Sequence, residues 1–416
     1  MRASIETAGS ITVAGLTLCA FLVAWLPFEP WPAQAVAQTA APVLKQVAKK
    51  KAPPAAKSAP KAAPTETNAK PERPSFSLED EADAVVLGIP DARAWGDSED
   101  EFARLLPKVD GPWLAMSGGG SDGAYAAGLL TGMTQAGNRP DFAVVTGASI
   151  GALIAPYAFL GPRYDAQLQE QFTTIMAGDI FEDRPTGDSL MDSWPLKRTI
   201  EKRVTPQLLA DIAAEHKRGR RLLAVTTNLD AGRPMVWNMG AIAARGDDKA
   251  LALFRAVLLA SASIPGIFPP VLIDVESQGK QFQELHNDGT ITAPFFIAPT
   301  SVLAGTGTVH LPTKQLYVIA NAKLEQQFDV TTPQTTVVLG RSISLALQAG
   351  LRIELLLTLA AAQKQGISLN VAQIDPEFQH PSRGAFDPDY MKALFDFAVE
   401  QAKKGKTFET VAAESK

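Results

Sequence analysis

The chain reads as an α/β protein, a three-layer sandwich around a mostly parallel central sheet. Three observations predict it. Two consecutive strand–turn–helix units open the body, at 113–133 and 142–161, and such units imply parallel strands with helices packed on them. Further buried strands recur at 220–230 and 314–324, separated by helical stretches. No internal repeat and no heptad run offers a competing architecture.

In order along the chain, Trp113 to Met116 is a short apolar run, three glycines follow, and Ala124 to Met133 holds helix formers and small residues. "FAVVTGAS" (142–149) is a buried strand entering a turn, and "IGALIAPYAFLG" (150–161) is an apolar helix stopped by Gly161 and Pro162. "RRLLAVTTNLD" (220–230) is a central strand with "RPMVWNM" (233–239) as its hairpin partner. A helix from 248 runs into the proline-rich loop ending at 270. A strand at 314–324, a long helix at 342–366 closed by Gly366, and an amphipathic helix at 390–404 complete a domain spanning 76–410.

The 416 residues carry 46% hydrophobic and 20% charged side chains, the balance of a globular protein with a sizeable core. The net charge of −5 is uneven: residues 1–75 hold nine Lys/Arg against four Glu, which leaves the body strongly acidic. Nucleic acid is therefore not an expected partner, because phosphate neutralisation needs a basic face. The single cysteine, Cys19, excludes an internal disulfide and Cys-based metal or redox chemistry in the body. No two histidines stand at metal-ligand spacing, and no cofactor is expected.

Residues 1–37 predict export. "ITVAGLTLCAFLVAWL" (11–26) is apolar but short for a membrane span, and Ala35 and Ala37 form an A-x-A pattern for cleavage before Gln38. A cleaved signal peptide, an uncleaved anchor and lipidation at Cys19 all stand as readings. Residues 38–75 are an Ala/Pro/Lys-rich stretch with little to bury, expected to be a disordered linker. The location this predicts is the cell envelope, periplasmic or membrane-associated.

The chemistry centres on "TGASIGALIA" (146–155), which sets Ser149 between Gly147 and Gly151. G-x-S-x-G alone is weak; here a buried strand enters the serine and a helix leaves it, the setting of a nucleophile elbow. Upstream, "SGGGSDG" (117–123) offers Gly118, Gly119, Gly120 and Gly123 on another strand-to-helix turn, where backbone N–H groups can face an oxyanion. The rival dinucleotide loop lacks the acidic residue at the end of the next strand; Ser149 stands there instead. Downstream, "ELHNDGTITAPFF" (284–296) presents Asp288 before Gly289, either as a tight turn or as a carboxylate that deprotonates the serine directly.

The order GGG-x-x-G, G-A-S-I-G, "SASIPGIFPP" (261–270) and D-G resembles the patatin-like phospholipase family, in an exported, bacterial form. The resemblance implies a Ser–Asp dyad without histidine: Ser149 as nucleophile, Asp288 as base, and the N–H groups of Gly118, Gly119 and Gly120 as the oxyanion hole. It also implies a phospholipase A or lysophospholipase type of serine esterase acting on a lipid or other carboxylic ester, in contact with a membrane surface. Two departures from the family pattern stand out: Asp122 where many members carry a basic residue, and Thr290 after the D-G. The alternative is a catalytically silent, envelope-tethered lipid-binding protein. A third reading keeps the enzyme and takes His310 or His380 as base. His286 shares a strand face with Asp288, as bystander or modulator, and His216 reads as an exposed helix end. Ile267, Phe268, Phe295 and Phe296 either line an acyl groove or pack in the core.

Overall fold

Five short strands, four of them buried along most of their length and the fifth along half, decide the architecture. In the computed structural model, which describes residues 73–184, 187–326, 328–405 and 407–411, they lie side by side and parallel. These are β2 (Trp113–Met116), β3 (Val144–Ala148), β4 (Arg221–Asn228), β8 (Gln315–Ala320) and β9 (Ser368–Gln373), in the order β4-β3-β2-β8-β9. Antiparallel strands close both margins. On one side β5 (Arg233–Asn238) pairs with β4 and β1 (Arg93–Trp95) with β5; on the other β10 (Glu409–Val411) pairs with β9.

Strand residues alternate between two cores. Leu114, Met116 and Val145 face one, under the helices Gly123–Ala136, Ile150–Leu160 and Asp248–Ser261. Trp113, Ala115 and Val144 face the other, which holds Phe295, Phe296 and, from the helix Thr335–Gln365, Leu351, Ala361 and Ala362. This is the three-layer α/β sandwich the sequence predicts, with apolar residues on both faces of each central strand because both faces are covered.

The boundaries differ in instructive places. The long helix begins at Thr335, seven residues before the predicted start, across a β-branched run and Gly340 whose propensity argues against helix. The helix from 248 ends at Ser261, and the segment after the proline-rich loop, Val271–Ser277, is β6, a strand not anticipated, paired antiparallel with β7 (Lys280–Asp288). The helices Asp165–Thr174 and Trp194–Arg203 are not anticipated, and of Pro206–Lys217 only the end at His216 is. The predicted segment 1–37 lies outside the described residues, as does all of 38–75 before Arg73.

Candidate active site

The site forms where β3 leaves the sheet. β3 covers one edge of β4 as far as the pair Ala148↔Val225. The chain then turns away at Ser149, and β7 runs antiparallel into the vacated edge, pairing Asp288 with Thr226. Two segments 139 residues apart in sequence thus end beside one another, and Ser149 Oγ donates to Asp288 Oδ2 at 2.7 Å. Both side chains are buried.

Ser149 holds φ 54° and ψ −126°, a conformation that costs an L-residue energy and that the surroundings must maintain. They do so by close packing. A Cβ on Gly147 would stand 2.2 Å from Gly151 O, and one on Gly151 would stand 2.5 Å from Met116 O. The glycines at these two positions let the helix start directly over the strands. Ser261, the first residue of the "SASIPG" block, accepts from the Ser149 N–H at 3.0 Å and donates to Val225 O at 2.6 Å.

Asp288 is held from the far side. Its Oδ1 accepts from Thr290 N at 2.9 Å and from Thr290 Oγ1 at 2.6 Å. Burial pushes the carboxyl up to about 6, against the lowering pull of the Thr290 and Ser149 hydrogen bonds. Gly289 sits against Val225 O, where a Cβ would come within 2.3 Å.

The glycine loop lies against this pair. Gly118 packs on Ser149 and Thr290, and its N–H donates to Pro294 O at 3.3 Å. Gly119 has φ 157°, and a Cβ there would meet Asn321 O at 2.3 Å. Asn321, at the end of β8, pins the loop's base: its N–H donates to Ser117 Oγ at 2.9 Å and its Nδ2 to Ser117 O at 2.8 Å. Its Oδ1 accepts from Ala126 N at 3.2 Å. Asp122 accepts from the Tyr390 hydroxyl at 2.6 Å, and burial pushes its carboxyl up to about 6.

Ser149, Asp288, Thr290, Asn321 and the glycine loop border one cavity of about 860 Å³. Ile264, Ile267, Ile291, Leu347 and Phe378 supply apolar wall; Asp122, Lys323, Arg341 and His380 supply charge and polarity. Of the four aromatic or aliphatic loop residues singled out in the sequence, only Ile267 lines it. Phe268, Phe295 and Phe296 are buried in the two cores.

None of the hydrogen bonds of the Ser149 and Asp288 side chains goes to a histidine, although His380 lines the cavity. His286 is fully buried, with Nδ1 on Thr226 Oγ1 at 2.9 Å and Nε2 on Glu284 Oε2 at 3.1 Å, and burial pushes its pKa down. Glu284 also pairs with Arg93; although burial opposes it, the His286 and Arg93 hydrogen bonds hold the Glu284 carboxyl at about 2. His286 therefore belongs to a network beneath the site, bridging β4 and β7. His310 and His380 contact main-chain carbonyls, Thr308 O and Pro381 O. His216 is half-buried against Gly240 instead of standing at an exposed helix end, and burial pushes its pKa down to about 4.

Three residues of the site escaped the sequence analysis. Thr290 stands as a departure from the family motif, yet it fixes Asp288. Ser261 lies in a quoted block without a role. Asn321 ends the strand "QLYVIAN", and an amide closing an apolar strand opposite a glycine loop is the signal that marks it.

A serine on a strained strand-to-helix turn is here hydrogen-bonded to a buried carboxylate beside a glycine loop, an arrangement chemically able to activate the serine as a nucleophile. Residues 114–300 match the family described as patatin-like phospholipase, so the chain carries a patatin-like phospholipase domain, which supports a lipid acyl hydrolase activity. Among solved structures it is similar to VipD from Legionella pneumophila, at 10% identity and a TM-score of 0.36, over 74% of this chain and 68% of that one. No curated protein matches the chain.

Proposed function

We propose that the protein is a phospholipase A or lysophospholipase type of esterase that cleaves carboxylic esters of lipids with the Ser149–Asp288 dyad. The observation that carries this is the 2.7 Å contact of Ser149 Oγ with Asp288 Oδ2 inside a partly apolar cavity. Asp288 takes the hydroxyl proton as Ser149 Oγ bonds to the ester carbonyl carbon. The carbonyl π pair moves onto oxygen, where amides of the glycine loop meet it. The Gly118 N–H is turned to Pro294 O, so this role falls to Gly119 and Gly120, with the start of the helix Ile150–Leu160 adding its dipole. Collapse expels the alcohol, which takes the proton from Asp288. Water, deprotonated by the same carboxylate, then releases the fatty acid and restores Ser149.

A base at about 6 suits this cycle: it is ionised at neutral pH, yet more basic than an exposed aspartate. The proposal places the enzyme at the cell envelope, brought there by residues 1–37, with its substrate at a membrane surface. The test is hydrolysis of a p-nitrophenyl acyl ester and of a diacyl phospholipid by the full-length protein and by Ser149→Ala. Turnover of both by the wild type and of neither by the variant is expected. A folded wild type that binds lipid without turnover supports the silent lipid-binding reading instead.

A further inference from the structure

The helix Thr335–Gln365 is apolar on the wrong side as well as the right one. Its inner side carries Leu351, Thr358, Ala361 and Ala362, all buried. Its outer side carries Val338, Leu345, Ala349, Ile353, Leu356 and Ala360, all exposed, with Ile353 at 59% and Leu356 at 66%. At about 100° per residue these six fall in one stripe, about 33 Å long, interrupted only by Ser342. No charged side chain lies in it. The approach to the helix exposes Phe328 and Val330 as well, at 95% and 80%. Apolar surface of this extent on one element marks a contact with something else.

Three features identify a lipid surface as the partner. The first is charge. The helix bears Arg341, Arg352 and Lys364 against Glu354 alone, in a chain of net −5. On the helical wheel Arg341 and Arg352 border one edge of the stripe and Lys364 the other, while Glu354 lies on the inner side, where burial pushes its carboxyl up to about 7. An uncharged stripe with basic margins suits a helix lying in an anionic lipid interface.

The second is position. Gly340, Ile343, Ser344 and Leu347 of the same helix line the cavity that holds Ser149. A bilayer seated on the outer stripe is therefore one helix diameter, about 10 Å, from the cavity.

The third is attachment. Val337–Gln365 is long and apolar enough to cross a membrane by length and composition, with a mean hydropathy of 1.5. Yet Gln348 Nε2 donates to Lys323 O at 2.8 Å and Arg352 to Leu324 O at 3.0 Å, and the inner side packs on the sheet. A helix so fastened lies on a membrane and does not span it.

We infer that the Thr335–Gln365 helix docks the protein on anionic lipid through the Val338–Ala360 stripe, feeding the cavity from the bilayer surface. The lipid-hydrolase assignment of the cavity rests on the proposed function; the docking face does not. The test uses the full-length chain with Cys19→Ser, carrying an environment-sensitive fluorophore at Leu345→Cys or, as control, at Arg218→Cys. Arg218 is exposed and precedes β4 at the end of the sheet opposite Ser149. On addition of phosphatidylcholine vesicles containing phosphatidylglycerol, a blue shift at 345 and none at 218 is expected, weaker with phosphatidylcholine alone. An unchanged 345 probe overturns the inference, and so does a shift that follows protein concentration without vesicles, which assigns the stripe to a second copy. Fluorophosphonate labelling in the same samples separates the two proposals. A 345 shift without labelling defeats the hydrolase and leaves the docking face; labelling without the shift does the reverse.

Discussion

Thr290 donates both its amide N–H and its hydroxyl to Oδ1 of Asp288, which leaves Oδ2 to face the Ser149 hydroxyl. The carboxylate is thus oriented by its own turn, by the backbone and the hydroxyl of Thr290, with no imidazole between base and nucleophile. In a Ser-His-Asp site the carboxylate orients an imidazole; here the residue after D-G orients the carboxylate itself.

Thr290→Val keeps the shape and removes one hydrogen bond to the charged form. Such a bond is worth about 1.5–3 kcal/mol, so the Asp288 pKa rises by about one unit or more. The expected result is an acid limb of kcat/KM displaced upward by that amount, with activity at pH 7 lower by about twofold for one unit and about tenfold for two. Ester hydrolysis measured from pH 5 to 9 checks it.

For the wild type, activity requires ionised Asp288. It falls as pH drops through about 6 and levels above it. Stability runs the other way. A carboxyl raised above its unfolded value contributes stability that is fully present below about 4 and lost as pH rises through about 6. Asp288→Asn is therefore expected to match or exceed the wild-type melting temperature at pH 8 while inactive, with that advantage gone near pH 4. Melting curves of the two proteins at both pH values decide it.

Asn321→Ala removes two side-chain hydrogen bonds, to Ser117 O and from Ala126 N in the first turn of the helix Gly123–Ala136, and keeps the backbone one to Ser117 Oγ. At about 0.5–1.5 kcal/mol for each bond, a loss of about 1–3 kcal/mol is expected. The glycine amides lose their setting too, so kcat falls further than the stability loss explains. Denaturant unfolding alongside kcat and KM separates the two effects.

His310→Ala is expected to leave ester turnover within twofold of wild type, since His310 is exposed and bonds only Thr308 O. A loss of a hundredfold or more restores histidine as the base.

Much of this site is legible in the sequence. Ser149 and the glycine loop each sit within one strand–turn–helix unit, and local patterning reports such units well: β2 spans the predicted 113–116 without change. Asp288 was harder, because "NDG" is a turn signal in its own right, and only the pairing of β7 with β4 shows it ending a nine-residue strand. Non-local pairing leaves no local trace. Asn321 and Ser261 act through contacts more than a hundred residues away in sequence, which periodicity does not report. The early start of the helix at Thr335 was hidden because its outer side is apolar, so the usual alternation of buried and exposed residues is absent there.

The most direct test of the dyad is fluorophosphonate labelling of the full-length protein at pH 7.5, with the rate compared among wild type, Ser149→Ala and Asp288→Asn. The account predicts labelling of the wild type, none of Ser149→Ala, and a rate reduced by about 10³-fold or more in Asp288→Asn, as expected when a nucleophile loses its base. Labelling of Asp288→Asn at the wild-type rate would contradict it, because Ser149 would then be activated by a group other than the carboxylate 2.7 Å away.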